Sequence, residues 1–497
     1  MRRRKLLTLS LVLSMLMTGC GSATPADNQT TDAVKEEATA PESVPEVSEQ
    51  QASDEESVDE AADQEVSTST GPKQVVVYFA NWNLGADNVN GNGEVAGIAW
   101  DKVSYINHAF WAVAPADGST ATSFEQRVSG DGARTQFKIV STNPKNDYED
   151  TAASKSDSSI ARNHFAEYEA FSAKYPDVNI MISIGGWSAC GYFSEMAYTK
   201  EGRTSFIDSC LELMDQYSWI DGIDIDWEYP GGSKDGERNP EGDGDQGCPI
   251  FGTAAEDSVN FTALLTELRA AMDEHYGAGA KKLTACASSS TGWTLPMQDW
   301  ASFAPFLDMI NIMTYDMAGL WDGATGHASS FWGSKAAASY FMGLDIPREK
   351  LCIGSPLYAT TFLMTDVPSN ALGAAIENYK PTYTELGENT LRGFEQEAVS
   401  GFTYIEENGK WSMGEEFDNG GTGWHMGYDT KKGGAYLYND DESSTYYKWF
   451  ISYENPLSLQ EKLDYINEKN LAGIIVWENS QDTSSNDFIT QMSDNLR

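Results

Sequence analysis

Positive charge is scarce in this chain. Lys and Arg number 33 against 75 Asp and Glu, a formal net charge of −42. A surface of that sign repels phosphate, which excludes a nucleic-acid partner. Histidine is scarcer still, five scattered residues, and no CxxC pair or Cys/His cluster has zinc-site spacing. Six cysteines in 497 residues are no disulfide scaffold. With Cys20 set aside, Cys190, Cys210, Cys248, Cys286 and Cys352 remain, an odd number that allows at most two bridges. Cys286 and Cys352 lie in apolar runs, as buried thiols do, while Cys190 and Cys248 sit in loop-like sequence and are able to pair. The apolar stretch Leu6–Met17 is too short to span a bilayer as a mature helix. No internal repeat is visible. A neutral polysaccharide, held by stacking and hydrogen bonds rather than ion pairs, is compatible with all of this.

The start of the chain reads as a targeting segment. Arg2, Arg3, Arg4 and Lys5 precede the apolar stretch, and small residues lead to Cys20. Met17-Thr18-Gly19-Cys20 resembles a bacterial lipoprotein box with Met where Leu is usual, which implies lipidation of Cys20 and a bacterial cell-surface location. An ordinary signal peptide cleaved nearby is the alternative. Residues 22–72 hold fourteen acids, one lysine and no aromatic residue. Such a stretch buries too little apolar surface to offset its ordering entropy, so 21–72 is expected to be an acidic disordered linker ahead of a folded part from 73 to 497.

From Gln74 onward, short apolar runs alternate with helix-like stretches. The runs are Val75–Phe79, Val103–Phe110, Val178–Gly185, Ile220–Trp227, Leu283–Ser288, Met309–Tyr315, Leu351–Tyr358 and Leu471–Trp477. They are near-continuous rather than alternating, as parallel strands covered on both faces require. Amphipathic stretches lie between them, such as Phe261–Tyr276 with Leu264, Leu265, Leu268 and Met272 at helical spacing, and Ser458–Lys469 after Pro456. Eight strand–helix units predict an α/β fold, a (β/α)8 TIM barrel. The gap between the seventh and eighth runs is too long for a loop. Residues 363–440, with strand-like pieces at Gly401–Ile405 and Ala435–Tyr438, predict a small α+β insertion on the face where the βα loops emerge.

The densest chemical signal is Asp221-Gly222-Ile223-Asp224-Ile225-Asp226-Trp227-Glu228-Tyr229-Pro230. Side chains two apart on a strand share a face, so Asp224, Asp226 and Glu228 form one row with spacings of roughly 7 Å. Three carboxylates on one buried face repel one another, so their pKa values are pushed apart and at least one proton is retained near neutral pH. Glu228, at the carboxyl end, is placed to meet a ligand, which makes it a candidate general acid. The rival readings are a solvated acidic lip and a Mg²⁺ or Ca²⁺ site. The row lacks supporting amide ligands, and Asp243-Gly244-Asp245 departs from the EF-hand pattern after its second Asp.

The same run matches the DxxDxDxE signature of glycoside hydrolase family 18, the chitinase family. Ser183-Ile184-Gly185-Gly186-Trp187 resembles the family's SxGG motif on the third strand, and Met313-Thr314-Tyr315-Asp316 its MxYD motif on the sixth. Gly473–Glu478 resembles its eighth strand, which ends in tryptophan, and the similarity runs from about Val75 to Asp482. The resemblance implies hydrolysis of β-1,4-linked N-acetylglucosamine polymers by substrate-assisted retaining catalysis. Glu228 would be the acid and then the base, Asp226 and Tyr315 would orient the substrate's acetamido group, and Asp224 would share a proton with Asp226. Trp477 would floor the cleavage point. Tyr78, Phe110, Met313 and Tyr358 would line the pocket, Trp187 and Trp321 would flank it, and Ser183, Tyr229 and Asp316 are site residues as members of these motifs.

Aromatic residues support that reading collectively, because Tyr78, Trp82, Phe110, Trp187, Tyr229, Trp321, Tyr358 and Trp477 all fall at or beyond carboxyl ends of expected strands. Any one of them would equally suit a core. There is one departure: family members with the insertion often show Tyr-Gly-Arg after the seventh strand, where this chain has Tyr358-Ala359-Thr360. The loop Gly231–Asp257 is also idiosyncratic. An endo-β-N-acetylglucosaminidase acting on glycoprotein glycans shares the acid motif, and a lectin-like relative would share the fold. No cofactor or metal is implied, the membrane is met only through a lipid anchor, and nothing requires more than a monomer.

Overall fold

The computed structural model describes residues 71–83, 94–114, 136–232, 248–369, 371–377, 417–418, 423–444, 446–483 and 485–497. The leader with Cys20, nearly all of the 21–72 linker, the middle of the Gly231–Asp257 loop and the expected strand at Gly401–Ile405 lie outside these residues.

Fourteen strands occur in chain order among the described residues: β1 (Gln74–Ala80), β2 (Tyr105–Val113), β3 (Ile139–Ser141), β4 (Asn179–Gly185), β5 (Gly222–Asp226), β6 (Lys282–Ser288), β7 (Met309–Met313), β8 (Leu351–Pro356), β9 (Thr360–Leu363), β10 (Phe417–Asp418), β11 (Trp424–Asp429), β12 (Gly434–Asn439), β13 (Trp449–Tyr453) and β14 (Gly473–Trp477). Eight of them pair in parallel in the order β1-β14-β8-β7-β6-β5-β4-β2, and β1 pairs with β2 to close the ring. These eight are the eight apolar runs of the sequence. Strand β3 adds an antiparallel edge to the far end of β2, with Trp111 opposite Ser141.

The walls are two-sided, which is why the runs show little alternation. On β5, Ile223 and Ile225 pack outward into one apolar cluster with helix residues Phe206, Ile207, Leu264 and Leu268. Asp224 and Asp226 alternate with them and face the barrel interior beside Tyr78, Cys286 and Tyr315. The helix Ala254–Tyr276 starts at a capping box: Thr253 Oγ1 accepts from Glu256 N, and Thr253 N donates to the Glu256 carboxylate at 2.9 Å. It buries Phe261, Leu264, Leu265, Leu268 and Met272, the stripe that helical spacing marked. The helix Pro456–Lys469 begins two residues earlier than expected because Asn455 caps it and proline suits the first helical position.

A second sheet, antiparallel and ordered β10-β11-β12-β13-β9, lies in the chain between β8 and β14. Its strand β9 leaves only four residues after β8 ends, so the sheet grows from the carboxyl end of the barrel. The sheet spans Thr360 to Tyr453, wider on both sides than 363–440. The sequence hides this because Trp449–Tyr453 reads as a continuous apolar run leading to the next helix, and only its antiparallel register against β9, Phe450 opposite Phe362, assigns it to the second sheet.

Candidate active site

The site is built on the carboxyl end of β5. Asp224 is fully buried and accepts from four other strands of the barrel: Ser183 Oγ on β4 at 2.7 Å, Tyr78 Oη on β1 at 3.0 Å, Asn311 Nδ2 on β7 at 3.1 Å, and Thr284 Oγ1 on β6. Burial pushes its carboxyl above the usual range, and these donated bonds work against that by favouring the anion. Asp226, the last residue of β5, is pushed well above the usual carboxylate range, by burial first and then by the charges of Glu228 and Asp224. A hydrogen bond with the Cys286 thiol opposes the shift. Its Oδ1 is buried and accepts nothing among the described residues.

Glu228 lies past the end of the strand, at the mouth of the barrel and half-buried. Its pKa is raised to about 7. Burial is the main cause and the charge of Asp316 adds to it, while hydrogen bonds with the Tyr229 hydroxyl and the Trp187 backbone N–H work against it. One carboxyl in the row is thus anchored by four donors, and the outermost one holds its proton close to neutrality.

Local backbone explains the glycine pair before Trp187. Gly185 and Gly186 have φ of 116° and 79°, the region L side chains avoid. A Cβ on Gly185 would stand 2.0 Å from the Asp226 carbonyl oxygen, and one on Gly186 would stand 2.5 Å from the Phe110 ring. Only bare backbone lets β4 pass this close to both the carboxylate row and the aromatic wall.

The other expected residues gather around the row. Trp477 ends β14, lies stacked with Phe110, and has Tyr78 at 5.8 Å and Trp82 at 6.2 Å between ring centroids. Met313 and Tyr315 are buried in the same interior cluster, with Phe110, Tyr229, Tyr358 and Trp477 packed against it. Tyr315 touches backbone at Gly354, where a Cβ would stand 2.7 Å from its ring. Tyr358 donates its hydroxyl to Asp316 at 2.7 Å, and Asp316 itself adopts a left-handed φ of 51°. Trp187 is half-buried beside Glu228, and Trp321 is 73% exposed, standing outside the pocket.

Several residues at the site carry no motif. Thr284, Cys286 and Ser288 share one face of β6: Thr284 donates to Asp224, Cys286 is bonded to Asp226, and Ser288 bonds Tyr229. Asn311 donates to Asp224 from β7. Their signal was the two-residue strand period, which predicts which side chains share a face but not which face is inward. Cys190 and Cys248, expected to be able to pair, form no disulfide: both are buried thiols, hydrogen-bonded to each other beside the Glu228 carbonyl. The histidines are less scattered than their sequence positions suggest. His108 Nε2 and His164 Nδ1 lie 2.9 and 3.4 Å from Asp147 Oδ1, forming a fully buried group. Their other ring nitrogens meet the Tyr168 hydroxyl and the Asn83 carbonyl. Asp147 also accepts from Asn81, which in turn donates to the Phe110 carbonyl, so this group holds up the aromatic wall.

The model of the family described as Glycosyl hydrolases family 18 matches residues 74–482. Among curated relatives, Chitinase A of Pseudoalteromonas piscicida is 27% identical over 67% of this chain and 41% of its own length. Chitinase A1 of Niallia circulans is 28% identical over 82% of this chain and 56% of its own. The chain thus spans about half the length of these relatives. Among solved structures, chitinase ChiW from Paenibacillus sp. str. FPU-7, described as a cell-surface-expressed multi-modular enzyme, is 26% identical with a TM-score of 0.60, covering 85% of this chain and 42% of that one.

Proposed function

The chain belongs to glycosyl hydrolase family 18, and on that premise we propose that it hydrolyses β-1,4-linked N-acetylglucosamine polymers, chitin or chito-oligosaccharides, by substrate-assisted retaining catalysis. The observation that carries the reading is Glu228 holding a proton up to about pH 7 at the head of a row that offers no second exposed carboxylate as nucleophile.

Glu228 gives its proton to the glycosidic oxygen, and the bond from that oxygen to the anomeric carbon breaks. The carbonyl oxygen of the same sugar's 2-acetamido group attacks the anomeric carbon and forms a cyclic oxazolinium ion. Asp226 Oδ1, buried without a partner among the described residues at a cost of about 1–3 kcal/mol, is suited to accept the acetamido N–H. Tyr315 fixes the other end of that group, and Asp224 shares a proton with Asp226. Glu228, now a carboxylate, takes a proton from water as the water attacks the anomeric carbon, so the β configuration is restored. Trp477, with Phe110 on its face, offers an apolar floor for the C–H face of the sugar, and Tyr78, Met313 and Tyr358 close the pocket. Tyr229, Ser183 and Asp316 orient the acid row, while Trp187 and exposed Trp321 suit neighbouring subsites.

We further propose that the enzyme is held at a bacterial cell surface by lipid on Cys20 and works as a monomer. Release of protein into the medium by Cys20→Ala would support the anchor, and unchanged membrane retention would overturn it.

The function itself is tested by comparing release of N,N′-diacetylchitobiose from chitin with release of glycan from a high-mannose glycoprotein. Chitobiose alone is expected. Glycan release alone would make the enzyme an endo-β-N-acetylglucosaminidase, and binding without cleavage would make it a lectin.

A further inference from the structure

The chain that follows Glu228 is held at several points. The Glu228 carbonyl accepts from Cys248 N at 3.0 Å and from Cys190 Sγ at 3.4 Å. The Pro230 carbonyl accepts from Gln298 Nε2 at 3.4 Å, and Gln298 Oε1 is in turn fixed by Trp300 Nε1 at 2.6 Å. These donors are neutral. The next contact brings a charge, because Gly231 N donates to Oδ2 of Asp257 at 3.1 Å. Gly231 and Gly232 have φ of 90° and 88°, and with no Cβ they restrain the path of this stretch very little, so the hydrogen bonds set it.

Asp257 lies in the first turn of the helix Ala254–Tyr276 and is 1% exposed. Its Oδ1 accepts from Ser194 Oγ at 2.6 Å, and Ser194 Oγ accepts from Phe251 N at 2.8 Å. Neither partner is a cation, and Arg203 of the following helix Lys200–Gln216 pairs with Glu267 at 2.9 Å instead. Burial raises the Asp257 carboxyl to about 6, the bonds from Ser194 and Gly231 oppose that, and the charge of Glu256 beside it adds to it. The elements around it also bring Glu195 and Tyr198 on the helix Phe193–Tyr198, Glu228 and Tyr229 on the loop, and Cys248 ahead of the helix. An ionised carboxylate buried without a cation weakens the fold, so what Asp257 contributes as an anion lies in what it holds.

We propose that Asp257 is a positioning residue for Glu228: its two carboxylate oxygens tie the backbone three residues past the acid to the helix Phe193–Tyr198 through Ser194, and so fix where the Glu228 carboxyl stands. As an anion, Asp257 makes a charge-assisted bond to the Gly231 N–H, roughly twice as strong as a neutral one. Protonation turns Oδ1 into a donor towards Ser194, the Ser194 hydroxyl proton loses its acceptor, and the Gly231 bond becomes neutral. The loop then slackens. Because a shift of about 1 Å at a reacting group can cost about 10² in rate, the slack is read in turnover. The enzyme works best with Asp257 ionised and Glu228 protonated, between about pH 6 and about pH 7. The inference rests on the proposed function for its effect on rate, and on hydrogen-bond geometry for the tether.

Asp257→Asn keeps the shape of the side chain and fixes it in the uncharged state. With a fluorogenic N,N′-diacetylchitobioside as probe, the ratio of wild-type to Asp257→Asn kcat is expected to rise from about one below pH 5 to about tenfold at pH 7.5, with KM within about twofold throughout. Ser194→Ala removes a bond that holds the Asp257 pKa down, so the acidic limb of its kcat–pH profile moves upward. Protonation of a carboxyl raised to about 6 on folding contributes stability that is lost as pH rises through that value, so Asp257→Asn should be slower than wild type at pH 7.5 and yet resist urea better. Pro230-Gly231 is the only Pro-Gly step in the sequence, so carbonyl-¹³C proline with ¹⁵N glycine labelling isolates the Gly231 N–H by NMR. Its shift is expected to titrate with a midpoint near pH 6 in the wild type and to lose that midpoint in Asp257→Asn. An asparagine variant with wild-type kcat would overturn the proposal, as would a rate ratio indifferent to pH, an unmoved limb in Ser194→Ala, or a Gly231 resonance without the midpoint. A wild type that leaves the probe uncut would overturn the proposed function instead, and the Gly231 resonance would still decide the tether.

Discussion

Phe110 lies flat against Trp477, with ring centroids 5.3 Å apart and planes 14° from parallel. The two rings come from β2 and β14, on either side of β1, and Gly186, just past β4, leaves room for the Phe110 ring. The pairing holds the Trp477 indole at one tilt across the barrel mouth.

Phe110→Ala removes that support. An aromatic pair of this geometry is worth about 0.5–1.5 kcal/mol beyond its buried area, so oligosaccharide affinity should fall about fivefold. Calorimetric titration of chitotetraose into a catalytically inactive background measures it. Unchanged affinity would mean that Trp477 keeps its tilt alone.

Glu228→Gln keeps the shape and removes the proton. Loss of a general acid–base group costs roughly 10² to 10⁴ in rate. The expected outcome is a fall in kcat of at least that order with oligosaccharide binding within a few-fold of wild type. Hydrolysis surviving at near wild-type rate would remove Glu228 from its role.

The pH dependence follows from the sign of the shift. The first step needs protonated Glu228, so kcat/KM should fall as pH rises through about 7. Stability moves the same way. A carboxyl raised from 4.5 to about 7 on folding contributes stability that is fully present below the unfolded value and lost as pH rises through the folded one. Urea denaturation of wild type and Glu228→Gln between pH 4 and pH 8 should show the wild-type advantage shrinking across that window, and a constant difference would contradict the raised pKa.

The ring formed first should be the β-anomer, visible by proton NMR before mutarotation, because attack from the substrate's own amide and then from water inverts the anomeric carbon twice. α-Anomer appearing first would rule out the oxazolinium route. Substrates lacking the N-acetyl group should be cut far more slowly, and equal rates would be fatal to the same step.

A buried ion pair offers a stability test away from the carboxylates. Lys462 and Glu454 are both buried and paired, and Glu454 also accepts from Ser355 on β8 at 2.8 Å while Lys462 donates to Ser329 at 2.7 Å. The pair thus joins the helix after the second sheet to the barrel wall. Lys462→Met alone strands a buried carboxylate and should cost about 3–5 kcal/mol in chemical denaturation, whereas Lys462→Met with Glu454→Leu should recover most of it. A double variant as unstable as the single one would show that the polar contacts, not charge balance, hold the junction.

The barrel was legible because each strand buries both faces, leaving eight apolar runs bounded by polar loops, and the carboxylate row stood out because Asp224 and Asp226 interrupt an Ile-rich run where acids are costly. Trp449–Tyr453 was not legible, since an apolar run does not say which sheet it joins. Nor were Cys286, Asn311 and Thr284, whose significance is that two strands well downstream of β5 in sequence, β6 and β7, bring them to one aspartate or its neighbour. Sequence determines what each strand can bury and which residue types stand in line along it, because those properties are local. Which donors meet Asp224, how far burial lifts the Glu228 proton, and which hydroxyl the Cys286 thiol meets are set by closure of the ring. Desolvation and cross-strand hydrogen bonds exist only once β1 and β2 have met.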